Sequence, residues 1–201
     1  MKRITLLYIS IFMVLVGLSL VPNETKASKD DAVASKGNIC ERYFHYFESK
    51  QQIPAKLLNS VSMVESGKFD EATQKMAPWP WTVNVNGKGY YFNSKKEAIQ
   101  FVNQQRKLGR NSMDLGCMQI NLKYHGKEFV SISQMFEPRY NIAYSARMLK
   151  NSYKDVNSWK KAVGLYHSAT PARSRDYSDR VFAMWKSLKN QKNNIEVAMA
   201  R

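Results

Sequence analysis

The sequence predicts an α+β domain, predominantly α-helical, with six to seven helices and one small β-hairpin. Three observations carry that expectation. Apolar residues recur at three- and four-residue spacings in several separate stretches between residues 39 and 188. One stretch, 82–92, drops that period for short β-rich runs around Asn86-Gly87. Prolines and glycines fall between the periodic stretches, where helices start and stop. There is no internal repeat.

In chain order, residues 39–50 read as a helix with Tyr43, Phe44 and Phe47 on one side. Gln51-Gln52-Ile53 is a break, and Pro54 suits the first turn of a second helix. Leu57, Leu58, Val61 and Val64 give that helix a buried face, and Ser66-Gly67 ends it. Pro78-Trp79-Pro80-Trp81 cannot be helical. Thr82-Val83-Asn84-Val85 and Tyr90-Tyr91-Phe92 are two short strands, with Lys88-Gly89 leaving the loop length open. Ser94-x-x-Glu97 is a capping box, opening a helix that Gly109 closes. Residues 116–121 show no clear period. A short helical turn follows at 132–136, stopped by Pro138. A strongly amphipathic helix spans 141–153, with Ile142, Ser145-Ala146 and Leu149 inward. Residues 158–166 repeat the pattern through Trp159, Ala162-Val163 and Tyr166. After a proline-bearing loop at 167–175, residues 177–188 form the last helix, leaving 189–201 as a tail.

The chain's start has another character. Met1-Lys2-Arg3 precedes an almost wholly apolar run from 4 to 21, followed by polar residues 22–28. This is the pattern of a secretory signal covering 1–27, with cleavage after Ala27 or near Ala32-Val33-Ala34; an uncleaved anchor is the alternative. Residues 28–38 are a linker, so the domain occupies 39–188. The chain carries 31 Lys and Arg against 16 Asp and Glu, a formal +15. Removing 1–27 takes three bases and one acid, leaving 28 against 15, or +13. Outside the cytoplasm such a charge meets anionic wall polymers and headgroups. The cations are scattered and no nucleic-acid motif is present, which argues against a nucleic-acid partner. Cys40 and Cys117 are the only cysteines, and in an exported chain they form the single candidate disulfide.

Glu65 is the sharpest candidate for chemistry. An acid on the apolar side of a helix end is costly unless paired, metal-bound or kept neutral. Kept neutral, it can donate a proton at ordinary pH. Downstream lie Gly116-Cys117-Met118-Gln119-Ile120-Asn121 and Tyr166-His167-Ser168, in that order and each beside a helical segment. With Glu65-Ser66, these strings resemble the lytic transglycosylases, lysozyme-like cell-wall enzymes of the SLT type. Those carry a Glu-Ser pair at a helix end, a Gly-x-Met-Gln-[Ile/Val] segment, and a Tyr-Asn-x-Gly-like segment. The resemblance covers roughly residues 40–188.

The resemblance implies a lysozyme-like fold and peptidoglycan glycan strands as substrate. It implies cleavage of the MurNAc-GlcNAc bond with formation of a 1,6-anhydro ring. Glu65 would be the single catalytic acid and base. Ser66, Met118, Gln119, Asn121, Tyr166 and Tyr177 would contact substrate, Ser66 also supporting the glutamate's turn and Tyr166 facing Glu65. No cofactor is implied, and His45 and His125 lack metal-ligand spacing, so no metal is expected. A monomer is expected, with secretion-apparatus or wall-remodelling proteins as further partners and the periplasm or cell envelope as location. Three departures stand out: His167 replaces the usual asparagine, Ser168-Ala169 replaces the glycine-bearing end, and the insert between Glu65 and Gly116 is long. Trp79, Trp81 and Tyr90 in that insert could form a cleft wall or a small core of their own. Asp114 reads as a loop or helix cap. Facing Glu65 across a cleft, it would instead point to a lysozyme-type hydrolase. A non-catalytic wall-binding component of a secretion apparatus is the remaining alternative.

Overall fold

The computed structural model describes residues 39–71 and 73–199. The expected N-terminal signal or anchor and the expected linker lie outside the described residues. Among those described, no helix is long and apolar enough to cross a membrane.

Among the described residues the fold has eight α-helices and two small antiparallel sheets, in the order α1 (Glu41–Gln51), α2 (Leu57–Ser66), β1 (Gly67–Asp70), β2 (Lys75–Pro78), β3 (Thr82–Val85), β4 (Lys88–Tyr91), α3 (Lys95–Lys107), β5 (Met113–Leu115), β6 (Ile120–Asn121), α4 (Leu122–His125), α5 (Ile132–Met135), α6 (Pro138–Val156), α7 (Trp159–His167) and α8 (Pro171–Met199). This is the mostly helical, lysozyme-like α+β class that the sequence predicts. The helical body packs α2 against α8 and α1, and α6 against α1 and α7. Its core centres on Leu57, Leu58, Val61, Ile142, Leu149 and Val181.

The hairpin falls where the sequence predicts it. Asn86 and Gly87 both take positive φ (53° and 80°), the two-residue turn that matches strand twist, so Lys88-Gly89 joins β4. The sheet extends further than the sequence suggests, in the order β4-β3-β5-β6, and β1 pairs with β2 as a separate ribbon. Strands of two to four residues are too short to declare a period.

The capping box also forms: Ser94 Oγ accepts the Glu97 N–H, while Glu97 reaches back to the N–H of Asn93. Three prolines act differently from expectation. Pro138 does not stop a helix but opens α6, and Pro171 opens α8 inside the expected loop. A first-turn proline lacks only an N–H that would be unpaired anyway. Pro54, by contrast, stands before α2, which begins only at Leu57. The last helix continues past the expected end at Leu188 to Met199.

Candidate active site

Helix α2 carries Glu65 in its last turn, and its first turn is held by an unusual cap. Lys56, at the N-cap, has φ 70° and offers no side-chain hydrogen bond. The carboxylate of Glu48, from the end of α1, accepts the N–H groups of Lys56 and Leu58 instead, each at 2.9 Å. That satisfies donors a helix start leaves unpaired and sets a negative charge at the positive end of the helix dipole. At the other end, Gly67 has φ −56°, so no left-handed turn ends the helix. The glycine is needed because a β-carbon there would lie 2.3 Å from the Met63 carbonyl oxygen. The chain passes directly from Glu65-Ser66 into β1.

Beside α2 runs the Gly116–Gln119 segment, with nearly every backbone group fixed. Asn141, wholly buried on α6, donates to the carbonyls of Leu115 (3.0 Å) and Met135 (2.9 Å) and accepts the Met118 N–H at 2.8 Å. Gly116 has φ +83°, and a β-carbon on it would lie 2.7 Å from Asn141 Nδ2, so only glycine fits. Ser62 and Ser66 both donate to the Cys117 carbonyl at 2.7 Å. Tyr166 donates to the Met118 carbonyl, also at 2.7 Å. The disulfide joins Cys117 to Cys40 at the head of α1, closing a loop of 77 residues. Gln119 holds φ 47°, its side-chain amide donating to the carbonyls of Gly116 and Thr82.

The sheet supplies the third side. Asp114 on β5 is paired with Asn84 of β3 and with Asn121 of β6. Residues directly opposite on paired strands project to the same face. Val83, Val85, Met113 and Leu115 alternate with this polar row and are buried on the other face. The row Asn84–Asp114–Asn121 therefore faces a pocket of about 370 Å³, which also takes in Glu65, Gln119, Tyr124, His125, Met148, Tyr166 and His167.

Glu65 is the most perturbed acid there. Loss of solvent around its carboxyl raises its pKa from 4.5 to about 7. The hydroxyl of Tyr177 donates to its Oε1 at 2.5 Å and pulls the other way. The nearby charge of Asp114 pushes it up further, and Arg180 lowers it. Asp114 is itself raised, first by burial, against a 2.8 Å hydrogen bond from Asn121 and the charge of His167. His167 stacks flat on Tyr177, ring centres 4.5 Å apart and planes 6° from parallel. Burial and the neighbouring Arg180 and Arg173 hold its pKa below the usual histidine range.

Several expected site residues thus have other positions. Ser66 and Met118 are both wholly buried: Ser66 braces the Cys117 carbonyl, and the Met118 thioether belongs to the core. Tyr177, not Tyr166, holds Glu65, and at 1% exposure it presents no face to a ligand. Tyr166 lines the pocket but spends its hydroxyl on the Met118 carbonyl. Gln119 and Asn121 line the pocket. Trp79, Trp81 and Tyr90 do not line it. Trp79 is buried and donates to the Phe92 carbonyl, Trp81 packs on the core, and Tyr90 packs on Phe101 of α3. Asp114 is no cap but a second carboxylate in the same pocket. Reading the residues in order missed Asn84, Asn141, Tyr124 and Met148. The triplets Val83-Asn84-Val85 and Met113-Asp114-Leu115 held the signal for the polar row, since each sets one polar residue between two apolar ones.

Residues 42–187 match the family model described as the Transglycosylase SLT domain. No curated protein and no solved structure matches the chain.

Proposed function

The chain belongs to the Transglycosylase SLT domain family, whose lysozyme-like domains act on peptidoglycan, and on that premise we propose that it is a lytic transglycosylase with Glu65 as its acid and base. One observation carries the reading: a carboxyl with a pKa near 7 at the wall of an open polar pocket, oriented by Tyr177. Such a group is substantially protonated at neutral pH and can both give and take a proton.

Protonated Glu65 gives its proton to the glycosidic oxygen as the bond from C1 of the muramic acid breaks, and GlcNAc leaves with a free 4-hydroxyl. The carboxylate formed then removes the proton of the muramic acid 6-hydroxyl, whose oxygen closes on C1. The proton count is restored and no water enters. The nucleophile is part of the substrate and held beside C1, so proximity substitutes for a second catalytic carboxylate. Tyr177 keeps Oε1 aimed during both transfers. Gln119, Asn84 and Asn121 border the sugar, while Tyr124 and Met148 offer it apolar faces. Export through the basic, then apolar, N-terminus would bring the enzyme to this polymer.

Asp114 favours one second reading. A carboxylate sharing the pocket with Glu65 could activate a water or stabilise a glycosyl cation, as in a lysozyme-type hydrolase. Mass spectrometry of the new glycan ends separates the two: anhydro ends are expected, and one added water on every new end refutes the transglycosylase. Loss of wall clearing by Glu65→Gln, of order 10²-fold or more, is expected of either enzyme. Unchanged clearing would remove Glu65 from the mechanism, and a wild type that clears no wall would leave a wall-binding protein.

A further inference from the structure

The reaction leaves a second groove among the described residues unused. It holds about 710 Å³ and lies across α4 from the Glu65 pocket. Leu122, Lys123 and Gly126 line the groove, whereas Asn121, Tyr124 and His125 line the pocket. The groove has an apolar floor that includes Ile99, Leu122, Phe129 and Ile132. Three exposed cations, Arg106, Lys123 and Lys127, stand over it, and no carboxylate lines it. None of the three is ion-paired with another described residue. The basic character continues past Lys123 into an adjoining hollow bordered by Arg110. An apolar floor under unbalanced positive charge suits a short peptide carrying carboxylates and aliphatic side chains.

We infer that this groove binds the peptide stem of the same peptidoglycan strand whose sugars occupy the Glu65 pocket. The inference rests on the proposed function and adds a second recognition element to it. Distance supports the assignment. Helix α4 is a single turn, and a helix with its side chains is about 10–12 Å across. An extended peptide advances about 3.3–3.6 Å per residue, so three residues leaving the muramic acid lactyl group span roughly 10 Å. The stem's free carboxylates then meet Arg106, Lys123 and Lys127, and its aliphatic side chains rest on the floor.

The test uses the full chain and two substrates: glycan strands with stems intact, and the same strands stripped of stems by an amidase. Each exposed ionic contact is worth up to several-fold in affinity, and two together roughly tenfold. Arg106→Ala/Lys127→Ala is therefore expected to raise KM for stem-bearing strands roughly tenfold, with kcat within twofold. KM for stripped strands should not move. An unchanged KM on stem-bearing strands overturns the inference, and so does an equal rise on both substrates. Isolated stem peptide titrated calorimetrically into the Glu65→Gln chain should bind, and should bind less well to the chain that also carries Arg106→Ala/Lys127→Ala. An unrelated acidic peptide binding as tightly as the stem would assign the groove to an acidic partner instead. Failure of the proposed function is distinct: the wild type would then cleave neither substrate or add water to every new end, and the stem titration would still decide the groove.

Discussion

Glu65→Gln should make the protein more stable as well as inactive, and only above a particular pH. In the unfolded chain the carboxyl ionises near 4.5, and in the fold near 7. Between those values the unfolded state has released a proton that the folded state still holds, so rising pH favours unfolding. The wild type thus has its full Glu65-linked stability below pH 4.5 and loses it progressively up to pH 7. At 1.36 kcal/mol per unit, the loss reaches about 3 kcal/mol. Glutamine does not titrate and can still accept the Tyr177 hydroxyl, so the variant escapes this loss. Urea unfolding of both proteins, disulfide intact, at pH 4.5, 6 and 8 measures it. The stability difference should be near zero at pH 4.5 and grow to about 3 kcal/mol in the variant's favour at pH 8. Contributions of Glu41, Glu48 and Asp114 to the pH dependence are common to both proteins and largely cancel. A difference that stays constant with pH, or a variant less stable at pH 8, would refute the desolvated, proton-holding carboxyl.

Tyr177→Phe removes the hydrogen bond that lowers the Glu65 pKa, so the alkaline limb of kcat/KM should move up by about one unit, with a lower maximum from lost orientation. Asp114→Asn removes a charge that raises the same pKa. The alkaline limb should then move down, with anhydro ends retained; loss of product formation altogether would support the hydrolase. Glu48→Ala strips the cap from the Lys56 and Leu58 N–H groups and should cost about 2–3 kcal/mol in urea unfolding.

The parts of the site legible in the sequence were those a helix declares locally. Leu57, Leu58 and Val61 mark the buried face of α2, and Glu65, four residues beyond Val61, inherits it. The cysteine pair was legible because two residues permit one pairing, and the hairpin because Asn86-Gly87 suits one turn type. Which tyrosine meets Glu65 was not legible. Tyr166 and Tyr177 stand on the adjacent helices α7 and α8, and the packing of α8 against α2 decides between them. Met118 illustrates the same limit: beside the cleft-lining Gln119, only the turn at Gly116 determines that its side chain goes inward. Asn141 sits on the inner face of α6 next to Ile142, where a polar residue looks like an interruption until the chain it binds, 23 residues back at Met118, is in place.

That asparagine bears on how the site tolerates its acid. A carboxyl raised from 4.5 to about 7 costs the fold stability at neutral pH, so its neighbours must hold it without offering a cheaper arrangement. Ser62, Ser66, Asn141 and Tyr166 have their hydrogen bonds committed to the backbone of 115–118. None is left to turn toward Glu65 and draw it into a fully paired, fully ionised state. Among the described residues Tyr177 alone donates to it, and Asp114 opposes ionisation within the same pocket. The rigid floor thus does more than shape a sugar site: by keeping its donors occupied, it leaves Glu65 short of partners and therefore basic enough to carry a proton at pH 7.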